Sequence, residues 1–343
     1  MDSLKAEMTK VKSQVDRLIL EEILPKSSPV AEVDLLYRMM RDYPLRPGKG
    51  MRPFLCVATC KAAGGKETDA LVTASCIEMF QNWILIHDDI EDGSELRRGE
   101  PSLHHRYSEA LALNAGDALH ARMWGALLGN SKTLGPERTL RIMGEFAKMV
   151  NETTEGQHME LGWVQERRWD ITEADYFQMC TRKTSWYTVA SPCRLGAMVA
   201  GASDGLIEKL AAFGTKLGIA FQIQDDALNL VGDQKKYGKA RSDDLLEGKR
   251  TLILLHLLDS ASPDERAKLK AVMNKERNEK TSEDVGYVLS LIDRHDAVGY
   301  ARKRAAELLK EALVILRSID WSGDREAVAT LEAFARFAVE RDW

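Results

Sequence analysis

Proline is scarce, with nine in 343 residues, and only Pro101, Pro136 and Pro192 fall between Pro53 and Pro263. Long helices can therefore run uninterrupted, and no Pro/Gly/Ser-rich linker divides the chain. Cysteine is scarcer, at five. Cys56 and Cys60 sit four apart in an apolar stretch and no spacing is of the metal-binding type, so buried free thiols are expected rather than a disulfide frame or a zinc site. No apolar run of about twenty residues exists to cross a bilayer, and the amino-terminal MDSLKAEMTKVKSQVDRLIL is too charged for a signal peptide. The expectation is a soluble, cytoplasmic protein without stable membrane insertion. An excess of either charge is also missing: 48 Lys+Arg against 53 Asp+Glu leave a net charge of −5, which argues against a nucleic-acid surface. Strand-like alternation is rare, whereas apolar residues recur at helical spacing, as in Leu206, Leu210, Phe213, Leu217, Ala220 and Phe221. The expected fold class is all-α, a single large helical bundle forming one domain over residues 1–343. Turns are expected near Ser27 to Pro29, Tyr43 to Gly50, Gly64 to Lys66, Gly93 to Pro101, Gly129 to Pro136, Gly201 to Gly205 and Gly232 to Asp243.

What is present is acid in two concentrated doses. Asp88-Asp89-Ile90-Glu91-Asp92 closes one apolar run, and Asp225-Asp226-Ala227-Leu228-Asn229 closes another far downstream. On a helix the first and fifth positions share a face one turn apart, where carboxylates repel unless a cation lies between them. Hard oxygen ligands with room for more suit Mg²⁺, which typically takes one or two carboxylates plus phosphate oxygens. The runs MFQNWILIH (Met79 to His87) and AFQIQ (Ala220 to Gln224) place both clusters on buried helices, where unpartnered charge is costly. His87, next to Asp88, fits packing or hydrogen bonding better than an oxygen-preferring metal site. Cations follow each cluster. Arg97-Arg98 stands in Gly93 to Pro101, Lys49 and Arg52 stand in Gly48 to Pro53, and Lys239, Lys249 and Arg250 flank Asp243-Asp244. Guanidinium groups suit bidentate phosphate contacts, so two polyanionic groups, magnesium-bound phosphate or diphosphate, are expected.

With these motifs the chain resembles the trans-isoprenyl diphosphate synthases, the family of farnesyl and geranylgeranyl diphosphate synthases. Five motifs agree in order and spacing: Gly48 to Pro53; Asp88 to Asp92 with Arg97-Arg98-Gly99; Asn114-Ala115-Gly116-Asp117; Gly156-Gln157 with Lys183-Thr184; and Phe221 to Asp226 with the downstream lysines. The resemblance implies an isoprenoid synthase bundle with a central cavity, a homodimer, and three Mg²⁺ per active site. It implies that Asp88 and Asp92 ligate two ions with Asp89 in support, that Asp225 ligates a third, and that Asp226 and Asp244 act through ordered water. Arg97, Lys183 and Lys249, with Lys239 nearby, would hold the allylic diphosphate; Lys49, Arg52, Gln81 and Arg98 would hold isopentenyl diphosphate. Thr184, Tyr187 and Gln222 resemble the polar groups that line the reacting carbons. The implied reaction is ionisation of the allylic diphosphate, head-to-tail attack by the double bond of isopentenyl diphosphate, and proton loss to the released pyrophosphate. Fixed positive charge at the leaving group carries it, with Lys183, Thr184, Gln222 and Arg97 as the catalytic candidates.

Three departures from the family pattern stand out. Asn229 ends the second cluster, Glu160 stands where aspartate is usual, and the first cluster lacks the two-residue insertion of many bacterial farnesyl synthases. In the family the growing tail runs beneath the first cluster, so Phe80, Trp83 and Ile84 are the chain-length candidates. Trp83, five residues before Asp88, would lie roughly 7–8 Å lower. One aromatic there, with the aliphatic Ile84 beside it, points to geranylgeranyl diphosphate, with farnesyl diphosphate as the alternative. A class I terpene cyclase and a non-catalytic subunit of a heteromeric synthase are the rival classes. The isopentenyl set of Lys49, Arg52, Gln81 and Arg98 speaks against the first, and the complete first cluster against the second. Beyond Thr251 the motifs end, although the amphipathic Tyr300 to Ile319 is a clear helix, and Arg341 is a candidate to reach the isopentenyl site.

Overall fold

The computed structural model describes residues 2–231 and 242–341. Lys239 and most of the turn expected from Gly232 to Asp243 lie outside them. The chain is all-α, as expected. Its helices are α1 (Asp2–Leu18), α2 (Ala31–Leu45), α3 (Met51–Ala62), α4 (Glu67–Glu91), α5 (Leu103–Arg106), α6 (Glu109–Gly129), α7 (Ser131–Leu134), α8 (Pro136–Gln165), α9 (Glu173–Cys180) and α10 (Ser191–Ala200). They continue as α11 (Asp204–Val231), α12 (Asp243–Glu247), α13 (Leu252–Ser260), α14 (Pro263–Met273), α15 (Ser282–Arg294), α16 (Ala297–Arg317) and α17 (Arg325–Glu340). The ends follow local chemistry. Thr172, Ser262 and Thr281 open α9, α14 and α15 with reciprocal capping boxes through Asp175, Glu265 and Asp284.

Two features depart from the expected helices and turns. Ile19–Ile23 and Thr181–Ala190 are π-helical, the second being long for that form and carrying Lys183, Thr184 and Tyr187. The turn after the first aspartate cluster is a miniature hairpin, β1 (Leu96–Arg97) against β2 (Glu100–Pro101). Arg98 and Gly99 at its tip both have positive φ, 54° and 83°, as a two-residue type I′ turn requires.

By contacts the chain separates into two compact units, each assembled from three stretches. One contains Met1–Met149, Tyr187–Ala212 and Ile315–Phe334; the other contains Val150–Trp186, Phe213–Val314 and Ala335–Trp343. The core of the first includes Phe54, Cys56, Ile77, Phe80, Leu119 and Phe146, all wholly buried, and Phe54 meets Phe334 at 5.6 Å. Arg194 and Glu145, both buried there, form a bidentate pair at 2.8 and 3.0 Å. In the second, Leu210 aside, the apolar stripe of α11 (Phe213, Leu217, Ala220, Ile223, Ala227) is buried, as are Leu254, Leu257, Leu269 and Leu291. All five cysteines are buried and unpaired. Among the described residues no helix is long and apolar enough to cross a membrane.

Candidate active site

The first cluster closes α4. The Asp92 N–H donates to the Asp88 carbonyl at 2.9 Å, which keeps the two residues one turn apart on one face. Asp89 points elsewhere and is wholly buried. Its Oδ2 accepts the Tyr43 hydroxyl, and its Oδ1 accepts Arg97 Nε at 2.8 Å and a second guanidinium N–H. Arg97 also reaches Asp88 Oδ2 at 3.5 Å. Burial alone would lower the Arg97 pKa, but the Asp89 carboxylate outweighs it and holds the guanidinium above its usual value. Burial, reinforced by Asp89, pushes the Tyr43 phenol well above its ordinary range, so it remains a donor. The hairpin turns Arg97 inward and leaves Arg98 to donate to the Tyr43 carbonyl at 3.1 Å, 4.0 Å from Glu78.

The residues expected to hold isopentenyl diphosphate fall in the same unit. Gly50, at φ 59°, precedes α3, which carries Arg52. Arg52 stacks on the Tyr187 ring at 4.4 Å and donates to Thr188 Oγ1 at 2.9 Å; Lys49 is half-buried beside the same turn. Gln81 is buried, and among the described residues its Oε1 and the Nε of Arg52 have no hydrogen-bond partner. The chain-length candidates also group here. Phe80 meets Trp83 edge-on at 5.4 Å and Tyr187 at 5.8 Å, while Ile84 is half-buried. Trp83 Nε1 donates to His87 Nε2 at 3.1 Å, and its ring lies flat on His120 from α6 at 3.9 Å. His87 thus has the hydrogen-bonding role expected of it. A Cβ on Gly116 would lie 2.6 Å from His87 Nε2, which gives the Asn114 to Asp117 motif a packing reason.

The second cluster, on α11, repeats the arrangement with different partners. Asp225 is one third exposed and pairs with Arg341 at 2.7 Å. Asp226 is buried and accepts the Tyr176 hydroxyl at Oδ2 and Gln222 Nε2 at Oδ1, each at 2.7 Å. Burial raises its pKa against the pull of those two donors, and Asp225 adds to the rise. Thr184 Oγ1 donates to Gln222 Oε1 at 2.6 Å, so Thr184, Gln222, Asp226 and Tyr176 form one chain of hydrogen bonds. Lys183 pairs with Glu160, the residue that departs from the usual aspartate. A Cβ on Gly156 would lie 2.2 Å from Lys183 N, so the Gly156-Gln157 and Lys183-Thr184 motifs are two sides of one close helix contact. Asn229 Oδ1 accepts the Asp244 N–H at 3.2 Å, so this departure holds the following turn. Lys249 Nζ lies 2.6 Å from Glu247 and 3.9 Å from Asp244 Oδ1. Arg341, the candidate for the isopentenyl site, lies over Phe221 at 4.3 Å in addition to its pairing with Asp225.

Among the described residues no three His, Cys, Asp or Glu side chains converge into a closed metal cage. The donors fit magnesium without one. Asp88 and Asp92 offer hard oxygens one turn apart, Asp88 is a fifth exposed, and Mg²⁺ draws its remaining ligands from phosphate and water. Sequence reasoning missed Tyr43 and Tyr176, the buried donors to Asp89 and Asp226; a single tyrosine on a helix, among charged neighbours as both of these are, carries no signal for so distant a partner.

Two carboxylate doublets on buried helices, each with an arginine paired to one of its aspartates, define the class as an all-α enzyme of the kind that handles diphosphates with divalent metal. The polyprenyl synthetase family profile matches residues 33–292. The geranylgeranyl diphosphate synthase of Saccharolobus solfataricus is 34% identical over 294 residues, covering 86% of each chain. The geranylfarnesyl diphosphate synthase of Natronomonas pharaonis is 30% identical over 346 residues, covering 95% of this chain and 96% of that one. A crystal structure of geranylgeranyl pyrophosphate synthase from Corynebacterium glutamicum, complexed with isoprenyl diphosphate and magnesium, superposes with a TM-score of 0.83 at 28% identity, covering 99% of this chain and 98% of that one. The chain belongs to the polyprenyl synthetase family and is a prenyltransferase.

Proposed function

We propose that this prenyltransferase condenses isopentenyl diphosphate with dimethylallyl, geranyl and farnesyl diphosphates and releases geranylgeranyl diphosphate. The observation that carries the reading is the pair of doublets: in each, one aspartate is locked by a tyrosine and a second side-chain donor, and its neighbour lies nearer the surface. Bound magnesium, three ions in this reading, supplies positive charge that stabilises the departing pyrophosphate. Asp88, Asp92 and Asp225 would hold it, with Asp89, Asp226 and Asp244 behind them. Arg97, Lys183 and Lys249, with Lys239, grip the allylic diphosphate, and Lys49, Arg52, Gln81 and Arg98 orient isopentenyl diphosphate so that its double bond faces the allylic carbon. Thr184, Gln222 and Tyr187 present oxygen to the cation that follows. No side chain is assigned as the final base; the pyrophosphate leaving group takes the proton.

Trp83 supports the twenty-carbon product. Its indole is fixed by a hydrogen bond to His87 and a stack on His120, which makes it a firm floor, and Ile84 adds no second ring. The same reading makes residues 1–343 one catalytic domain. It also makes the chain a homodimer, for which the exposed Leu111, Leu113 and Leu128 of α6 and Leu140 of α8 provide apolar surface. The test is a magnesium-dependent assay with isopentenyl diphosphate and each allylic starter, in which dephosphorylated products are sized by chromatography. Twenty-carbon alcohol is expected. Fifteen carbons would support the farnesyl alternative, and cyclic hydrocarbon or no elongation would reject the condensing reading. Light scattering should give twice the chain mass; a monomer at assay concentration would reject the dimer.

A further inference from the structure

Past Thr251 no sequence motif carries chemistry, yet residues from that region grip the preceding turn, which bears Asp244 and Lys249. The short helix α12 has left-handed residues at both ends, Ser242 at φ 65° and Gly248 at φ 79°, and a single helical turn does not hold itself together. Three cations grip it. Arg277 pairs with Asp243 and, at 3.3 Å, with Glu247 Oε1, two acids four apart on one face of α12. Lys280 Nζ donates to the Leu246 carbonyl at 2.8 Å and the Lys275 carbonyl at 2.6 Å, satisfying one of the acceptors a helix end leaves open. Arg250 is almost wholly buried and lies 3.8 Å over the Trp169 ring. It donates to the Gly248 carbonyl, the Arg168 carbonyl at 3.1 Å and Asn274 Oδ1 at 3.2 Å. Among the described residues no carboxylate pairs with it. Its donors are spent on fixing the backbone path.

We infer that Arg277 and Lys280, backed by Arg250, are positioning residues that fix α12 so that Asp244 and Lys249 face the allylic diphosphate and its magnesium. The inference rests on the function proposed above. Glu247 is the pivot: Arg277 occupies Oε1, and Lys249 lies 2.6 Å from Oε2. Removing Arg277 leaves Glu247 with Lys249 as its stronger partner and draws that ammonium away from phosphate. The effect is therefore specific to one substrate.

The test compares Arg277→Met, Arg277→Lys and Lys280→Met with the wild-type chain. Arg277→Met should raise the KM for geranyl diphosphate and the half-saturating magnesium concentration about tenfold, the scale of a lost supporting contact behind a metal site. The KM for isopentenyl diphosphate should stay within about twofold, and Arg277→Lys, which keeps the charge but not the two-pronged reach to Asp243 and Glu247, should recover part of the loss. Calorimetry with inorganic pyrophosphate and magnesium should show the same weakening without turnover, and amides of residues 243–249 should exchange faster. Lys280→Met should move the same quantities in the same direction. Unchanged constants, or a parallel rise for both substrates with a fall in melting temperature and no rescue by lysine, would overturn the inference. Lys249→Met and Asp244→Asn separate the two layers. If they raise the geranyl diphosphate KM and Arg277→Met does not, the clamp is wrong. If they too have no effect, the assignment of this turn to the diphosphate fails, and the clamp falls with it.

Discussion

Tyr43→Phe removes one oxygen atom and tests the brace behind the first aspartate cluster. The phenol donates to Asp89 Oδ2 and accepts the Leu103 N–H at 3.3 Å, so the variant strips a partner from a wholly buried carboxylate and from a backbone donor. Each unsatisfied buried group costs about 1–3 kcal/mol, and the van der Waals volume barely changes. Asp89 keeps Arg97, which restrains the loss at the carboxylate. A total of about 2–4 kcal/mol follows. At about 2 °C per kcal/mol for a long chain, melting should fall by about 4–8 °C. The functional cost is separate. With one donor gone, Asp89 can turn toward Arg97, and the pull of that guanidinium on Asp88 changes. The half-saturating magnesium concentration should then rise about tenfold. Scanning calorimetry and magnesium titration of turnover measure the two effects. A double-mutant cycle with Asp89→Asn should return a coupling of at least about 1 kcal/mol. Unchanged melting together with unchanged magnesium dependence would show that the hydroxyl braces nothing.

Trp83→Ala should lengthen the product beyond twenty carbons, because the ring stands roughly 7–8 Å below Asp88 along α4; an unaltered product distribution in reverse-phase chromatography would refute the floor. Gly116→Ala forces a Cβ to 2.6 Å from His87 Nε2 and should cost about 1–3 kcal/mol in chemical denaturation, with His87→Ala recovering part of it. Asp284 has its pKa lowered from 3.8 to about 2, first by its hydrogen bond from Lys275 and then by the Thr281 backbone N–H. A depressed carboxylate stabilises the fold above its unfolded pKa and loses that contribution as pH falls through the folded one. The melting difference between wild type and Asp284→Asn should therefore be full at pH 5 and shrink toward pH 2; a difference independent of pH would refute the assignment.

Much of the site was legible because its spacing is local. Asp88 and Asp92 share a face through helix geometry alone, and Arg97-Arg98-Gly99 reads as a turn with two cations. The substitution of Glu160 for aspartate was visible, but its pairing with Lys183 across two helices was not. Nor was the π-helical stretch 181–190 legible, since a shifted hydrogen-bond register leaves no compositional trace. Arg98 in a left-handed conformation escaped notice because hairpin tips of this type usually advertise themselves with Asn-Gly or Asp-Gly. Arg277 belongs to no sequence motif, and only the fold reveals the two acids it joins.

The doublet form of each cluster follows from the helix. Consecutive residues project about 100° apart, so an Asp-Asp pair at the rim of a buried helix sends one carboxylate toward solvent and the other into the wall. Asp88 is a fifth exposed and Asp225 a third, whereas Asp89 and Asp226 are buried with donors on both oxygens. The inward carboxylates carry unequal burdens. Asp89 has the Arg97 guanidinium to balance its charge, while Asp226 has the neutral Tyr176 and Gln222, and its pKa is raised by burial. Removing a donor should therefore perturb the second cluster more than the first. Tyr176→Phe strips a carboxylate to which no cation among the described residues is hydrogen-bonded, and its effect on magnesium dependence should exceed that of Tyr43→Phe. Equal effects would mean that charge balance at the buried aspartate plays no part in setting the outward one.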